Sequence, residues 1–164
     1  MMEEMKIRII IADDNKAWTD LLQKYLKNFK ELEIVGITND GIEQLDMIKE
    51  LKPDVVVTDL KRDKGISGIE AIKRCYELKM DTDFLVTTAG YYNDKIQELK
   101  EIGITHFLFK PFEIEDMIQE IKNVRNERVA KLIAIENALN ERKLTFIEII
   151  MKKIRELKYV LRKG

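Results

Sequence analysis

Hydrophobic residues along this chain alternate between two spacings. Short runs rich in Ile and Val occur at Ile7 to Ala12, Leu32 to Ile37, Val55 to Val57, Phe84 to Val86 and Phe107 to Phe109, each too short for a helix and bounded by polar or turn residues. They predict five strands buried on both faces. Between them the apolar positions recur every three or four residues: Ala17, Leu21, Leu22, Tyr25, Leu26 and Phe29; Ile42, Leu45, Ile48 and Leu51; Ile69, Ile72 and Tyr76; Ile96, Leu99 and Ile102; Ile114, Met117, Ile118 and Ile121. These segments predict five helices. Strict alternation of apolar strands with amphipathic helices implies a parallel sheet covered on both sides, a doubly wound α/β domain.

Beyond Lys122 the pattern changes. Val124, Leu132, Ile135 and Leu139 extend the fifth helical stripe, predicting a helix that runs to about Asn140. Thr145 and Glu148 have the spacing of a capping box, with Leu144 and Ile149 as the flanking staple, so a final helix is expected from about Phe146. Its face of Ile147, Ile150, Ile154, Leu157 and Leu161 needs a partner, either the preceding helix or another chain. The expected organisation is a domain over 1–122 and a helical extension over 123–164, forming a helical hairpin or a dimerising element.

A chain of 164 residues accommodates one domain plus an appendage. No run approaches the roughly 18 apolar residues of a membrane span, and the acidic start Met1-Met2-Glu3-Glu4 is unlike a signal peptide, so a cytoplasmic location is expected. Cys75 is the sole cysteine, which excludes an internal disulfide, and it falls in an apolar helical pattern as a small core residue. Charge is unevenly spread. Residues 122–164 hold twelve Lys/Arg against five Glu, net +7, leaving net −8 on residues 1–121.

In an open parallel sheet, ligands bind at the carboxyl ends of the strands. There the sequence places Asp13-Asp14 after the first strand, Asp59 after the third, Thr87-Thr88-Ala89 after the fourth and Lys110-Pro111 after the fifth. Three carboxylates could provide the half-open oxygen site that Mg²⁺ prefers. A carboxylate can attack phosphorus to give an aspartyl phosphate, while Lys110 neutralises phosphoryl oxygens and the Thr88 hydroxyl donates a hydrogen bond to them. Any one of these residues alone is better explained as a solvated turn or a helix cap, a role open to Asp14 and Asn15. The four strand ends together point to phosphoryl acceptance.

The stretches Ile9 to Asp14, Pro53 to Asp59, Thr88-Ala89 and Phe107 to Phe112 resemble the receiver domain of bacterial two-component response regulators, over roughly residues 5 to 125. The resemblance implies a flavodoxin-like five-stranded sheet of order 2-1-3-4-5. It further implies Asp59 as phosphoacceptor; Asp13, Asp14, Asp59 and the Lys61 backbone carbonyl as Mg²⁺ ligands; Thr88 as switch hydroxyl; Lys110 as the phosphate-contacting lysine; and Phe107 as the aromatic that turns inward. Tyr91 and Tyr92, opening the fourth helix, would lie on the output face. The implied partners are a sensor histidine kinase or phosphotransfer protein and, through the C-terminal helices, a second copy. One stretch departs from the family: Leu60 to Gly68 lacks the usual Met-Pro pair and is one residue longer.

Other functions fit less well. The basic tail would suit DNA or an ANTAR-like RNA output, although about 40 residues is short for the family's DNA-binding domains. An atypical receiver working without phosphorylation is a further alternative. A haloacid-dehalogenase-type phosphatase needs a second acid two residues beyond its nucleophile, where this chain has Lys61. A flavin phosphate would be repelled by Asp13-Asp14. His106, the only histidine, is expected in the fifth strand with a structural role, and Trp18 in helical packing.

Overall fold

The computed structural model describes residues 6–61, 65–90 and 93–163, the side chains of 93 and 157–163 excepted. Five strands form one sheet: β1 (Ile7–Ala12), β2 (Leu32–Thr38), β3 (Val55–Asp59), β4 (Asp83–Thr88) and β5 (His106–Phe109). All pairings are parallel and the order is β2-β1-β3-β4-β5. Helices α1 (Lys16–Leu26), α2 (Gly41–Leu51), α3 (Gly68–Glu77), α4 (Asn93–Glu101) and α5 (Ile114–Lys163) alternate with the strands. The alternation predicts a doubly wound parallel sheet, and the strand order is the flavodoxin-like one that the resemblance implies.

The period-2 geometry of a strand divides each apolar run between two cores. Ile9 and Ile11 of β1, Val55 and Val57 of β3 and Leu85 of β4 face α1 and α5, meeting Leu22, Leu26, Met117, Ile118, Ile121 and Val124. The alternate residues Ile10, Val56, Phe84 and Val86 face α2, α3 and α4, meeting Leu45, Ile48, Ile69, Ile72, Cys75 and Leu99. Each fully buried Ile, Leu or Val contributes about 1.5–3 kcal/mol of hydrophobic stabilisation. Two full cores leave no freedom of register, because a one-residue slip would exchange the faces of a whole strand.

Short polar side chains start the helices. Asn15 Oδ1 accepts from the Trp18 amide, the Asp40 carboxylate from the amides of Ile42 and Glu43, and Ser67 Oγ from the Glu70 amide. Trp18 packs edge-on against Phe112, ring centroids 5.7 Å apart, as helical packing requires. Arg125 and Lys122 of α5 reach Asp54 and Glu31, holding the first turns of α5 onto the sheet.

The expected break between Asn140 and Phe146 does not occur: α5 is a single helix of 50 residues. Neither Gly nor Pro lies between Pro111 and Gly164 to interrupt it. Thr145, read above as an N-cap, sits inside the helix and donates its hydroxyl to the Glu141 carbonyl at 3.0 Å. A Thr-x-x-Glu pattern thus has two local solutions, and bonding back to the preceding turn prevails where the backbone is not otherwise broken. The helical hairpin is thereby excluded. Tertiary contacts divide the chain into two units, Met1–Asn126 and Glu127–Gly164. Among the described residues no helix is long and apolar enough to cross a membrane.

Two features of the packing are testable. Burial pushes the Cys75 thiol up to about 12, so the nucleophilic thiolate is scarce at neutral pH. A thiol reagent at pH 8 is expected to modify Cys75 only through unfolding, in proportion to added urea; rapid labelling without denaturant would contradict the packing. At Gly68 a Cβ would lie 2.1 Å from the Asp59 carbonyl oxygen, a backbone atom that cannot rotate aside. Gly68→Ala is expected to lower stability by about 2 kcal/mol, read as a lower urea midpoint at unchanged slope.

Candidate functional site

The site follows from sheet order. β1, β3, β4 and β5 are consecutive neighbours, and their registers bring Ala12 beside Thr58, Asp59 beside Thr87, and Thr88 beside Phe109. Residues immediately past the strand ends therefore converge at one edge. Asp13 follows β1, Asp59 closes β3, Thr88 closes β4 and Lys110 follows β5. The Lys110 amide donates to the Thr88 carbonyl at 2.8 Å, extending the ladder by one bond to the base of the lysine side chain.

Lys110 is the centre of the arrangement. Its Nζ donates to Asp13 Oδ2 at 2.8 Å and to Asp59 Oδ2 at 2.7 Å. Both carboxylates are buried, with 5% exposure at Asp13 and 9% at Asp59. Burial works most strongly against the ammonium, but the hydrogen bonds and charges of Asp13 and Asp59 together outweigh it and hold the Lys110 pKa above the usual lysine range. The remaining carboxylate oxygens take one backbone bond each, Asp13 Oδ1 from the Asn15 amide at 2.9 Å and Asp59 Oδ1 from the Lys61 amide at 3.1 Å. The carboxylates are fixed in orientation, yet each oxygen keeps a lone pair.

The donor chemistry suits Mg²⁺, which uses one or two carboxylates and retains several waters. Among the described residues no group of three or more His, Cys, Asp or Glu side chains is gathered for a metal ion, and the carboxylates that the structure brings together at this edge are those of Asp13 and Asp59, joined through Lys110. Asp14 is half-buried next to Asp13, and Lys61 is exposed immediately beyond Leu60.

Thr88 is 1% exposed, and its hydroxyl is engaged locally, donating to the Gly90 carbonyl at 3.2 Å and accepting from the Gly90 amide at 3.4 Å. Phe107 is half-buried against the core under α3 and α4, with Lys100 Nζ 5.9 Å from its ring centre. Tyr91 and Tyr92 lie outside the described residues, as do 62–64 of the atypical loop. His106 Nδ1 lies 2.6 Å from Glu120 Oε1, tying β5 to α5. Burial raises the Glu120 pKa, but the hydrogen bonds from His106 and Asn123 together hold it below the usual carboxylate range.

Some contributors escape a sequence reading. Gly68 permits α3 to start directly against the Asp59 carbonyl, and its amide donates to the Leu60 carbonyl at 3.2 Å. Gly41 does the same for α2 against the Ile66 carbonyl, where a Cβ would stand 2.3 Å away. Two helix starts therefore close on the backbone at Asp59 and at Ile66. Gln44 is fully buried and its Oε1 accepts from the Thr58 hydroxyl at 3.3 Å, one residue before Asp59. The only sequence signal was Gly at the first position of each helix; nothing in the spacing marked Gln44.

Similar folds carry the same topology. A DNA-binding response regulator of the LuxR family from Staphylococcus aureus aligns with TM-score 0.68 and 20% identity, covering 73% of this chain and 98% of that one. The response regulator domain of Thermotoga maritima CheB aligns with TM-score 0.66 and 23% identity, covering 74% and 97%. RcsB from Salmonella enterica serovar Typhimurium, in a structure bound to promoter P1flhDC, aligns with TM-score 0.65 and 20% identity, covering 76% of this chain and 62% of that one. At these identities the likeness is one of fold. The family model of the response regulator receiver domain matches residues 9–122, more than two thirds of the sequence, and the chain belongs to that family.

Proposed function

We propose that this receiver accepts a phosphoryl group on Asp59 from a sensor histidine kinase or phosphotransfer protein, and that the modification controls its last helix. The observation that carries the reading is the Lys110 ammonium held between the buried Asp13 and Asp59 carboxylates. An Asp59 carboxylate oxygen attacks phosphorus through its remaining lone pair, the new O–P bond forms as the N–P bond of the donor's phosphohistidine breaks, and the departing imidazole keeps the electron pair and takes up a proton. Lys110 stays beside Asp59 and neutralises a phosphoryl oxygen. Mg²⁺, held by Asp13 and Asp59 with Asp14 and the Lys61 carbonyl as further ligands, would offset the charge repulsion between carboxylate and phosphoryl group.

The same group then reports. A phosphoryl oxygen offers Thr88 a stronger, charged acceptor than the Gly90 carbonyl it holds. Drawing the hydroxyl across frees space at the end of β4, into which Phe107 of the neighbouring strand turns. The face formed by α4, β5 and α5 changes with it, and the output is self-association or binding of another protein. The domain signals rather than turning over external substrates.

Charge favours a second reading of the output. Residues 142–163 carry eight Lys/Arg against two Glu, a concentration that would attract DNA or RNA phosphates. In that case binding to a nucleic acid duplex should weaken steeply with added salt, and absence of binding at low salt removes the reading.

With Mg²⁺ and a small phosphodonor, the intact mass is expected to rise by one phosphoryl group, and Asp59→Asn to abolish the rise; an unaltered protein that takes up none contradicts the proposal. Lys110→Ala is expected to slow uptake on the order of 10²-fold, as for loss of one preorganised charge partner. Thr88→Ala should accept phosphate yet leave the exchange protection of β5 and α5 unchanged on phosphorylation, whereas Thr88→Ser should respond like the unaltered protein.

A further inference from the structure

The second half of α5 carries an apolar seam with an unusual period. Leu132, Ile135 and Leu139 are spaced by three and four residues; Lys143, Phe146 and Ile150 repeat them eleven residues later, and Ile154 opens the next repeat. Eleven residues over three turns is 3.67 per turn, close to the ideal helix, so such a seam stays on one face of a nearly straight helix. The six apolar members are 39–64% exposed. A helix with this much uncovered apolar surface is marginal alone in water and needs a covering partner.

We propose that this partner is the same segment of a second copy, running antiparallel and centred near Phe146 and Ile147. Two observations choose the occupant and its direction. The first is charge: residues 127–141 carry three Glu against two Lys/Arg, net −1, while residues 142–163 carry net +6. A parallel pair would align +6 with +6 at about 10 Å, roughly one Debye length at 0.1 M salt, whereas an antiparallel pair centred between 146 and 147 twice sets residues 152–163, net +5, opposite residues 130–141, net −1, and leaves only the net +1 of residues 142–151 facing itself. The second is the seam's near-palindromic form. Reversed about the point between 146 and 147, its central part maps onto itself, setting Leu139 opposite Ile154, Phe146 opposite Ile147, and Lys143 opposite Ile150.

Lys143 is the discriminating residue. Parallel pairing would face it with its own counterpart inside the seam, two like charges in contact, while antiparallel pairing gives it an apolar neighbour over which its methylene stem lies with the ammonium in water. The six exposed apolar side chains present on the order of 500 Å² per chain, and a symmetric pair covers on the order of 1,000 Å², the scale of a specific interface. The pairing deepens the reading of α5 as the output element and does not require phosphorylation.

The test uses the full chain. Light scattering should give a dimer, and Ile150→Glu should convert it to a monomer while leaving phosphoryl uptake at Asp59 intact. Phe146→Cys should form an intermolecular disulfide under mild oxidation. Leu139→Cys alone and Ile154→Cys alone should not, whereas a mixture of the two should, since only antiparallel pairing brings 139 and 154 within disulfide reach. A monomer, with or without binding to anionic vesicles or nucleic acid, overturns the proposal, and so does self-crosslinking of Leu139→Cys, the signature of a parallel pair. Failure of phosphoryl uptake with the dimer intact would overturn the Asp59 reading and leave the pairing standing.

Discussion

The structure turns on one ammonium shared by two buried carboxylates. Asp13 follows β1 and Asp59 closes the neighbouring parallel strand β3, and without a counter-charge their burial at one sheet edge would be costly. Lys110, past the end of β5, supplies that charge from two strands beyond β3 and three beyond β1, its Nζ within 2.8 Å of both. Removing one member of such a set is far more damaging than never having built it, because the remaining charges are left desolvated. The arrangement concentrates negative potential while leaving lone pairs available, which is the condition for a site that can bind a hard cation and present a carboxylate as nucleophile.

Much of the surrounding fold serves to hold that edge. The two apolar cores lock the strand registers, the registers align the strand ends, and the Lys110 amide bond to Thr88 carries the alignment past the end of β5. Helix starts at Gly41 and Gly68 approach the Ile66 and Asp59 carbonyls directly, so that displacement of Asp59 is resisted by backbone contacts rather than by flexible side chains. Thr88 and His106 then connect the site's edge with the strand and helix that lead to α5, the hydroxyl through the loop after β4 and the imidazole through Glu120.

The strands and the first four helices were legible because their physical signals do not compete. Ile- and Val-rich runs with both faces apolar have few alternatives to a covered parallel strand, and the strand-end positions of Asp13, Asp59 and Lys110 follow from that reading. The meeting of these three side chains was not legible in the same way: Lys110 lies 97 positions from Asp13, and its reach depends on sheet order, register and burial together. The end of the chain was misread for an identifiable reason. Thr145 and Glu148 satisfy a capping pattern, but with no Gly or Pro nearby the hydroxyl bonds back to Glu141 and α5 continues. Gly68 and Gln44 went unnoticed since a single glycine or glutamine has no spacing to betray what it packs against.

The central claim, that the Asp59 carboxylate becomes an acyl phosphate in this electrostatic setting, is tested most directly by chemical trapping. Borohydride reduces an aspartyl phosphate to homoserine, which marks the residue permanently in the peptide chain. After incubation with Mg²⁺ and a phosphodonor, reduction and peptide mass analysis should place homoserine at position 59 alone. Homoserine at another aspartate, or an unreduced Asp59 in protein that has gained a phosphoryl group, would contradict the account.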